Sequence, residues 1–252
     1  MQINPYLNEI KALRNYYCSI PVILLSSYLF YNAAGIDTVI LLGKEDSFFE
    51  WLTALFYFIS FILLVLTFKK NRNIFLLLLS FVLFFGAGEE ISWGQRVFGF
   101  ATPENINKVN VQHEFNIHNL GVFAGKYMDG ERKKGWERFL EMDLLFKIFT
   151  VTFGCLLPFC IYHFKPIASL AQKIKVPVPP ITSGIFFVIS WIGLKFSLSR
   201  VPRHLDMQTY WKVKMAGPEI AEFIGAYIMF VICLYFYNYR NKDIMGKDFK
   251  QF

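Results

Sequence analysis

The sequence of 252 residues lacks charge over long stretches. No charged residue lies between Ile74 and Gly88, and Phe48–Phe68 contains a single acid, Glu50, near its start. A hydrocarbon core about 30 Å thick requires a helix of about 20 apolar residues, whereas a soluble helix of that length needs a polar face. The sequence therefore excludes a soluble enzyme, a disordered chain and a disulfide-rich scaffold.

Cysteine is also scarce. The chain has four cysteines, all within apolar segments, and no CxxC or Cys/His spacing appears. This pattern indicates buried free thiols rather than a zinc knuckle or a disulfide framework. The net charge of +7 comes without a cluster of bases and aromatics on one soluble face. We therefore expect no nucleic-acid partner and attribute the charge to membrane topology.

The apolar blocks predict an all-α, polytopic transmembrane bundle that forms a single integral membrane domain over residues 1–252. The predicted spans are 17–34, 48–68, 74–95, 144–164, 181–199 and 218–237, and an outer segment covers 97–143. The first span would also fit a cleavable signal peptide, but the long basic region around Lys11 and Arg14 favours a retained anchor. Pro218, preceded by Gly217, is expected to begin the last span.

The basic residues predict the orientation. With both termini inside, the inner segments hold 12 bases and 3 acids, and the remainder holds 14 bases and 16 acids. Because cytoplasmic loops carry the excess of Lys and Arg, we expect cytoplasmic termini in a bacterial inner membrane. The ends of the third and fifth spans and the start of the sixth would then lie together on the outer side.

Two adjacent acids, Glu89 and Glu90, interrupt the third span. At about 1.5 Å per residue, Glu89 lies about 22 Å from Ile74 in a core about 30 Å thick. Ionisable groups at this depth are costly and normally face the bundle interior or a wet cavity. A general base or a metal ligand would explain them, with Trp93 beside them. The structural alternative is that Glu89 pairs with Arg96.

The segment Asn110–Asn119 is dense in amide side chains and contains two of the four histidines. If it is helical, Glu114 and His118 share a face at i,i+4, which suits two metal ligands or a base with its orienting group. The spacing does not match HExxH. The alternative is an interfacial loop whose amides and imidazoles contact lipid headgroups and water.

A third candidate element flanks the last span. Glu219 and Glu222 share a helical face, and an acid in a first turn, such as Glu219, is favoured by the helix dipole. Arg200 and Arg203 could hold a lipid phosphate or serve as juxtamembrane anchors. His113, His118 and His204, three of the four histidines, are all expected on the outer side together with these acids. This pattern is typical of a metal or acid–base site.

Two motifs carry a resemblance. The segments GEEISWGQR and NVQxExNxHN, joined by Phe98–Glu104, resemble an uncharacterised family of bacterial multi-pass membrane proteins over roughly the middle of the chain. The residues that match the family pattern are Glu89, Glu90, Glu114 and His118, whereas His113 stands at a variable position. The placement of acids and histidines near helix ends is also similar to that in CAAX-type proteases and alkaline ceramidases. The proteases' EExxxR spacing and the ceramidases' HxxxH are absent, so this similarity implies a reaction class alone.

The first hypothesis is a metal-dependent hydrolase or transferase that acts on a lipid or lipid-linked substrate at the outer leaflet. Its expected catalytic residues are Glu89, Glu90 and His118, and its expected ligands for a divalent metal, with zinc favoured, are His118, His204, Glu222 and Glu114. Its expected contacts with the substrate, including an anionic headgroup, are Trp93, Gln95, Arg96, Asn119, Arg200 and Arg203. The alternatives are an ion-coupled transporter and a non-catalytic subunit that docks a protein through the aromatic segment around Trp136.

Overall fold

Helices form all of the regular structure in residues 17–238, which are the residues that the computed structural model describes. The helices are α1 (Ser19–Ala33), α2 (Ile36–Gly43), α3 (Phe48–Asn71), α4 (Ile74–Glu90), α5 (Gln95–Phe98), α6 (Glu104–Asn107), α7 (Met142–Phe149), α8 (Leu157–His163), α9 (Lys165–Ile174), α10 (Ile181–Ser199) and α11 (Met207–Asn238). Short 3-10 segments lie at Ser92–Gly94 and Gly135–Leu140, and a π-helical turn, Thr150–Leu156, joins α7 to α8. The predicted all-α bundle is confirmed.

Four helical segments of the described residues are long and apolar enough to cross a membrane. They are Ile36–Asn71, Met142–His163, Ile181–Ser199 and Met207–Asn238. A fifth crossing results if α4 and the residues to Phe98, bent by 62°, count as one broken span. The predicted first span is the apolar helix α1, whose 15 residues are fewer than the about 20 that a crossing needs. The structure thus has four or five candidate spans where the sequence predicted six.

The predicted orientation was based on the basic residues of the chain termini and of the two inner connecting loops. Lys11, Arg14 and Arg240, with the other charges of residues 1–16 and 239–252, lie outside the described residues. The cytoplasmic location of the termini therefore stays a prediction.

Local signals explain the turn between α3 and α4. Lys69 and Lys70 occupy the last turn of α3, where cations complement the helix dipole, and Arg72 ends it with a left-handed φ of 54°. The side chain of Asn73 accepts a 2.9 Å hydrogen bond from the backbone N–H of Phe75 and caps α4. The two helices then pack side by side.

Helix α11 is the centre of the bundle. A stripe of its side chains at most 1% exposed consists of Ile220, Ile224, Ile228, Ile232 and Phe236. Successive members are four positions apart and so are neighbours on the helix surface, in a stripe that turns gradually around the helix. Beside them, the ring of Phe223 lies 5.6 Å from that of Phe49 on α3. The buried stripe makes α11 a fixed support for the polar residues that it carries.

Pro218 lies inside α11, so the prediction that it begins the last span was wrong. The helix begins at Met207, and Asp206 caps it by accepting a 3.0 Å hydrogen bond from the backbone N–H of Thr209. Consequently Glu219 and Glu222 lie in the body of the helix, and the dipole of a first turn does not explain Glu219.

The predicted outer segment, 97–143, consists mainly of turns and short helices. Its isolated antiparallel bridges pair Asn110 with Leu120 and Lys126 with Arg132. Residues Asn110–Asn119 form a closed loop, in which the backbone N–H of Val111 donates to the carbonyl of Asn119 at 2.8 Å. The i,i+4 argument for Glu114 and His118 was therefore wrong, since this segment is not helical.

Candidate functional site

Glu89, one residue before the end of α4, joins that helix to the loop Asn110–Asn119. Its side chain is buried, with 6% of the residue exposed. Oε2 accepts hydrogen bonds from the backbone N–H groups of Ile117 at 2.8 Å and His118 at 2.7 Å. The same oxygen lies 3.1 Å from Nδ1 of His118, while Oε1 accepts a hydrogen bond from Nε1 of Trp93. One carboxylate therefore fixes both the backbone and the ring of His118.

The geometry at Glu89 depends on a break in the chain directly after α4. Ser92 and Trp93 adopt left-handed φ values of 46° and 51°, and Gly94 follows at 85°. Left-handed backbone is uncommon for residues other than glycine and costs about 1–3 kcal/mol, so surrounding contacts must hold it. The hydrogen bond from Trp93 to Glu89 is one such contact.

This break corrects two sequence-based interpretations. The helix does not continue to Gln95 as predicted, because α4 ends at Glu90. The structural alternative in which Glu89 pairs with Arg96 was also wrong, since Glu89 pairs with His118.

The surroundings of His118 act on its pKa in opposite directions. Burial favours the neutral imidazole, but the hydrogen bond and the charge of Glu89 outweigh it, and the charges of Asp143 and Glu222 add to them. The pKa of His118 is therefore raised above its ordinary value of 6.5. The hydrogen bond with Glu89 uses Nδ1, and within residues 17–238 no hydrogen bond engages Nε2. The side chain is 33% exposed, and Nε2 is the ring nitrogen that does not contact Glu89.

Arg96 is surrounded by carboxylates. Its Nη1 lies 3.0 Å from Oε1 of Glu50 and also contacts Asp46, and its Nη2 lies 2.8 Å from Oε1 of Glu114. Three acids from α3, the turn before it and the outer loop thus share one guanidinium. This arginine therefore has three carboxylate partners, and its predicted contact with an anionic headgroup stays a prediction.

Amide side chains hold the loop Asn110–Asn119 in place. Oδ1 of the buried Asn110 accepts hydrogen bonds from the backbone N–H groups of Gln112 at 3.0 Å and Glu114 at 3.1 Å. Nδ2 of Asn110 donates to Oδ1 of Asn116 at 2.9 Å, and Asn119 donates to Gln112. Asn and Asp side chains often satisfy the backbone two residues on in this way. Asn119, predicted to bind substrate, is an internal support of the loop.

Gln95 also supports the loop rather than facing open space. Its Oε1 accepts the backbone N–H of Phe115 at 2.7 Å, and its Nε2 donates to Oγ1 of Thr102 at 2.8 Å. His113 is exposed, and its Nδ1 lies 3.0 Å from the carbonyl oxygen of Asn107. Of the two loop histidines, His118 alone contacts Glu89.

Four carboxylates from three helices interact electrostatically beside His118. We call these residues the acidic cluster: Glu50, Glu90, Glu219 and Glu222. All four are half-buried, and Glu222 also interacts with His118. Glu50 is bound by Arg96, but within the described chain no hydrogen bond or ion pair engages Glu90, Glu219 or Glu222.

The predicted metal ligands do not converge. Among residues 17–238 no group of three or more His, Cys, Asp and Glu side chains is arranged to hold a metal ion. Glu114 is engaged by Arg96 and by Asn116, and His204 is exposed. The geometry gives the metal centre no support, and it stays a prediction.

The two predicted arginine contacts at the end of α10 are exposed. Arg200 is exposed and its guanidinium stacks over the ring of Phe196, 5.2 Å from the centroid. Arg203 is exposed, and no ion pair of the described residues involves it. Both arginines are consistent with juxtamembrane anchors.

An apolar groove of about 420 Å³ opens beside the site on α4. It is lined by Phe81, Val82, Phe84, Phe85 and Trp93. Trp93 belongs both to the groove and to the Glu89 site, because its ring lines the groove while its Nε1 donates a hydrogen bond to Glu89. A hydrocarbon chain lying in this groove would reach the immediate neighbourhood of the Glu89–His118 pair.

Several residues of the site had no clear signal in the sequence. Asp46 precedes an apolar span and Glu50 lies near its start, where isolated acids are ordinary. The depth argument selected Glu89, but it does not apply to Glu50, which lies two residues after the start of the predicted span 48–68.

Comparison of the chain with protein-family models, curated proteins and solved structures finds no match. The family resemblance of the two motifs therefore stays a prediction, and the geometry of the Glu89–His118 site is the remaining basis for a function.

Proposed function

We propose that the protein is an integral membrane enzyme, a hydrolase or transferase acting on a lipid or lipid-linked substrate. The observation that carries this proposal is the Glu89–His118 pair, in which the carboxylate holds Nδ1 and leaves Nε2 without a partner in the described residues. A histidine oriented through one nitrogen by a buried carboxylate is the usual arrangement of a general base.

The chemistry follows from the two ring nitrogens. Nε2 of His118 accepts a proton from water or an attacking hydroxyl, and the resulting imidazolium is stabilised by Glu89. The proton is then returned to the leaving group, so that the ring acts as base and acid in turn. Glu90 and Glu222, in the acidic cluster, are the other groups that can exchange protons with the substrate.

Two features support a lipid as the substrate. The groove beside Trp93 is lined by apolar side chains. It lies on α4, which counts as a membrane crossing together with the residues to Phe98, as one broken span. In the orientation that the basic residues favour, the site faces the outer leaflet of a bacterial inner membrane and the termini are cytoplasmic.

A metal ion would use the same imidazole differently. Metal-ligating histidines commonly donate their other N–H to a carboxylate, as His118 does to Glu89, which would leave Nε2 for zinc. Zinc requires further donors close to that nitrogen, and none converge there among the described side chains. Metal analysis of the purified protein decides between these roles: zinc that is equimolar in the wild type and lost in His118→Gln would replace the general base with a metal ligand.

The enzyme proposal is tested with purified protein in liposomes of total bacterial polar lipids, analysed by mass spectrometry over time. We expect a lipid to be consumed by the wild type, and both His118→Gln and Glu90→Gln to reduce its consumption by about a hundredfold or more. His113→Gln is the matched control and should retain turnover. Lipid profiles identical to those of empty liposomes, or full turnover by His118→Gln, would contradict the proposal.

An ion-coupled transporter is the second candidate, favoured by the half-buried, unpaired carboxylates of Glu90, Glu219 and Glu222. Carboxylates inside a bundle are typical of proton and cation pathways. Proton-driven uptake into proteoliposomes that Glu222→Gln abolishes, with no change in the lipids, would favour this function over the enzyme.

A further inference from the structure

We propose that helix α9 lies along a membrane surface that contains anionic lipids. Its apolar face enters the boundary between headgroups and acyl chains, and six bases around it bind the headgroup phosphates. We call these bases the basic rim: Lys69, Lys70, Arg72, Lys165, Lys173 and Lys175. The rim lies at the beginning of α4, whereas Glu89 lies near the end of that helix. The inference therefore goes beyond the proposed function and does not rest on it.

The position of α9 in the chain places it at the edge of the membrane. One residue separates it from the candidate span Met142–His163, and residues 175–180 connect it to the candidate span Ile181–Ser199. Phe164 has extended backbone, with a φ of −121° and a ψ of 103°, so α9 does not continue the helix before it. With 10 residues, α9 is also too short to cross a membrane. The helix is thus held at the surface where one span ends and the next begins.

Helix α9 has more apolar surface than it buries against the protein. Ala171, on one side of the helix, is buried in a small cluster with Ile161 and Val178. A neighbouring apolar face consists of three residues: Ile167, Leu170 and Ile174. These side chains are 39%, 58% and 47% exposed. Because their spacing is i, i+3 and i+7, they form one continuous face, which the bundle itself leaves uncovered.

The polar side chains of α9 lie on the other side of the helix. At 3.6 residues per turn, Lys165, Ser169 and Gln172 lie roughly opposite the apolar face, and all three are exposed. A helix with an apolar face on one side and lysines and polar groups on the other is typical of helices that lie in a membrane interface. In that position the apolar face contacts acyl chains, and the polar side contacts headgroups and water.

The charge of the basic rim identifies the lipid as anionic. Residues 69–73 and 164–180 contain all six bases and no acid. Nδ2 of Asn73 donates a 2.7 Å hydrogen bond to the carbonyl oxygen of Lys175, so the two segments meet at one end of the bundle. All six bases are exposed, and no ion pair within residues 17–238 involves them. In the predicted orientation this end faces the cytoplasmic leaflet, whose negative surface attracts such bases.

The first measurement locates α9 relative to the bilayer. Nitroxide labels are attached to Leu170→Cys and to the matched control Gln172→Cys, in a variant without the native cysteines. The protein is reconstituted in vesicles of phosphatidylcholine and phosphatidylglycerol in equal parts. We expect the label on Leu170→Cys to be relaxed mainly by oxygen, which concentrates in hydrocarbon. The label on Gln172→Cys should be relaxed mainly by a water-soluble nickel chelate.

The second measurement keeps the native cysteines and tests the charge. Thermal unfolding in a neutral detergent is titrated with phosphatidylglycerol and, separately, with phosphatidylcholine. We expect stronger stabilisation by phosphatidylglycerol, and loss of this preference at high salt, because salt screens exposed charges. Lys70→Gln and Lys173→Gln, one from each segment of the rim, should each weaken phosphatidylglycerol binding by about fivefold, the effect of one base near an anionic surface. Lys134→Gln, an exposed lysine of the outer segment, is the control and should bind as the wild type does.

Three results would overturn the proposal. The nickel chelate could reach the label on Leu170→Cys as readily as that on Gln172→Cys, which would place the apolar face in water. Dipolar broadening between labels on Leu170→Cys would assign the face to a second copy of the chain. Equal stabilisation by the two lipids, or unchanged phosphatidylglycerol binding in both Lys70→Gln and Lys173→Gln, would remove the anionic partner. Neither measurement requires turnover, so a failure of the enzyme proposal leaves this inference standing.

Discussion

Oε2 of Glu89 lies 3.1 Å from Nδ1 of His118, a residue 29 positions further along the chain. The same oxygen accepts the backbone N–H of His118 at 2.7 Å, so a single carboxylate positions the ring and the loop that carries it. The position of the imidazole therefore depends on the position of the last residues of α4. A change at Glu89 should alter the fold of the outer loop and the chemistry of the ring together.

A double-mutant cycle tests this coupling. We expect Glu89→Gln and His118→Ala to be non-additive in the free energy of unfolding by about 1–3 kcal/mol, the range for hydrogen bonds to charged groups. Glu89→Gln alone should cost more than His118→Ala, because Glu89 also accepts from Trp93 and the loop backbone. Denaturant titration in mixed micelles measures both. Additive effects, as expected for Glu89 with His113, would show that the pair contributes no coupling.

The pair should also make stability depend on pH in a defined direction. The pKa of His118 in the folded protein is raised above 6.5. Folding therefore favours the imidazolium, whose contribution is complete below about pH 6.5 and is lost as the pH rises through the folded pKa. The difference in melting temperature between the wild type and His118→Gln, followed upward from about pH 6, should decrease with pH. A difference that is constant or grows with pH would contradict this expectation.

Arg96 should matter for stability more than an exposed ion pair does. Its side chain is 15% exposed and neutralises Glu50 and Glu114, which are 11% and 19% exposed. Arg96→Met leaves these carboxylates uncompensated, and we expect a loss of about 3–5 kcal/mol. The control is Lys108→Met, which breaks an exposed pair with Glu104 and should cost at most about 1 kcal/mol. Equal losses in the two variants would contradict the role assigned to Arg96.

Two glycines of the bundle should respond oppositely to alanine. A Cβ on Gly43 would lie 2.5 Å from Cβ of Ala216 and 3.1 Å from its Cα, where α2 meets α11. Since backbone cannot move aside cheaply, Gly43→Ala should destabilise by about 1–3 kcal/mol. Gly225, inside α11, has nothing within 4 Å of an added Cβ. Gly225→Ala should be neutral or stabilise by up to about 1 kcal/mol. Thermal unfolding compares the two, and similar losses would contradict the close contact of α2 with α11.

The sequence predicted the regular helices well because hydrocarbon thickness and side-chain hydropathy impose them. The predicted span 181–199 matches α10, Ile181–Ser199, in both limits. The depth argument for Glu89 selected a residue that the structure places at the junction of helix and loop. The depth argument did not predict that Glu89 pairs with His118, because a contact between residues far apart in the sequence determines this partner.

The helix break after Glu90 shows why the side-chain contacts of the site were not predictable from the sequence. Left-handed backbone at Ser92 and Trp93 has no periodicity or composition signal, since neither residue favours it. That turn directs Arg96 toward Glu50 and Glu114 instead of Glu89. The prediction that Pro218 begins the last span was wrong for a related reason, because tertiary packing keeps α11 helical on both sides of this proline.

The most direct test is the titration of His118 by ¹⁵N NMR of histidine-labelled protein, with its signal assigned by its loss in His118→Gln. We expect a pKa above 6.5, a neutral form protonated at Nδ1, and a lower pKa in Glu89→Gln. His113, which is exposed and lies away from Glu89, should be unaffected by that substitution. A His118 that titrates at or below 6.5 and does not respond to Glu89→Gln would contradict the Glu89–His118 site.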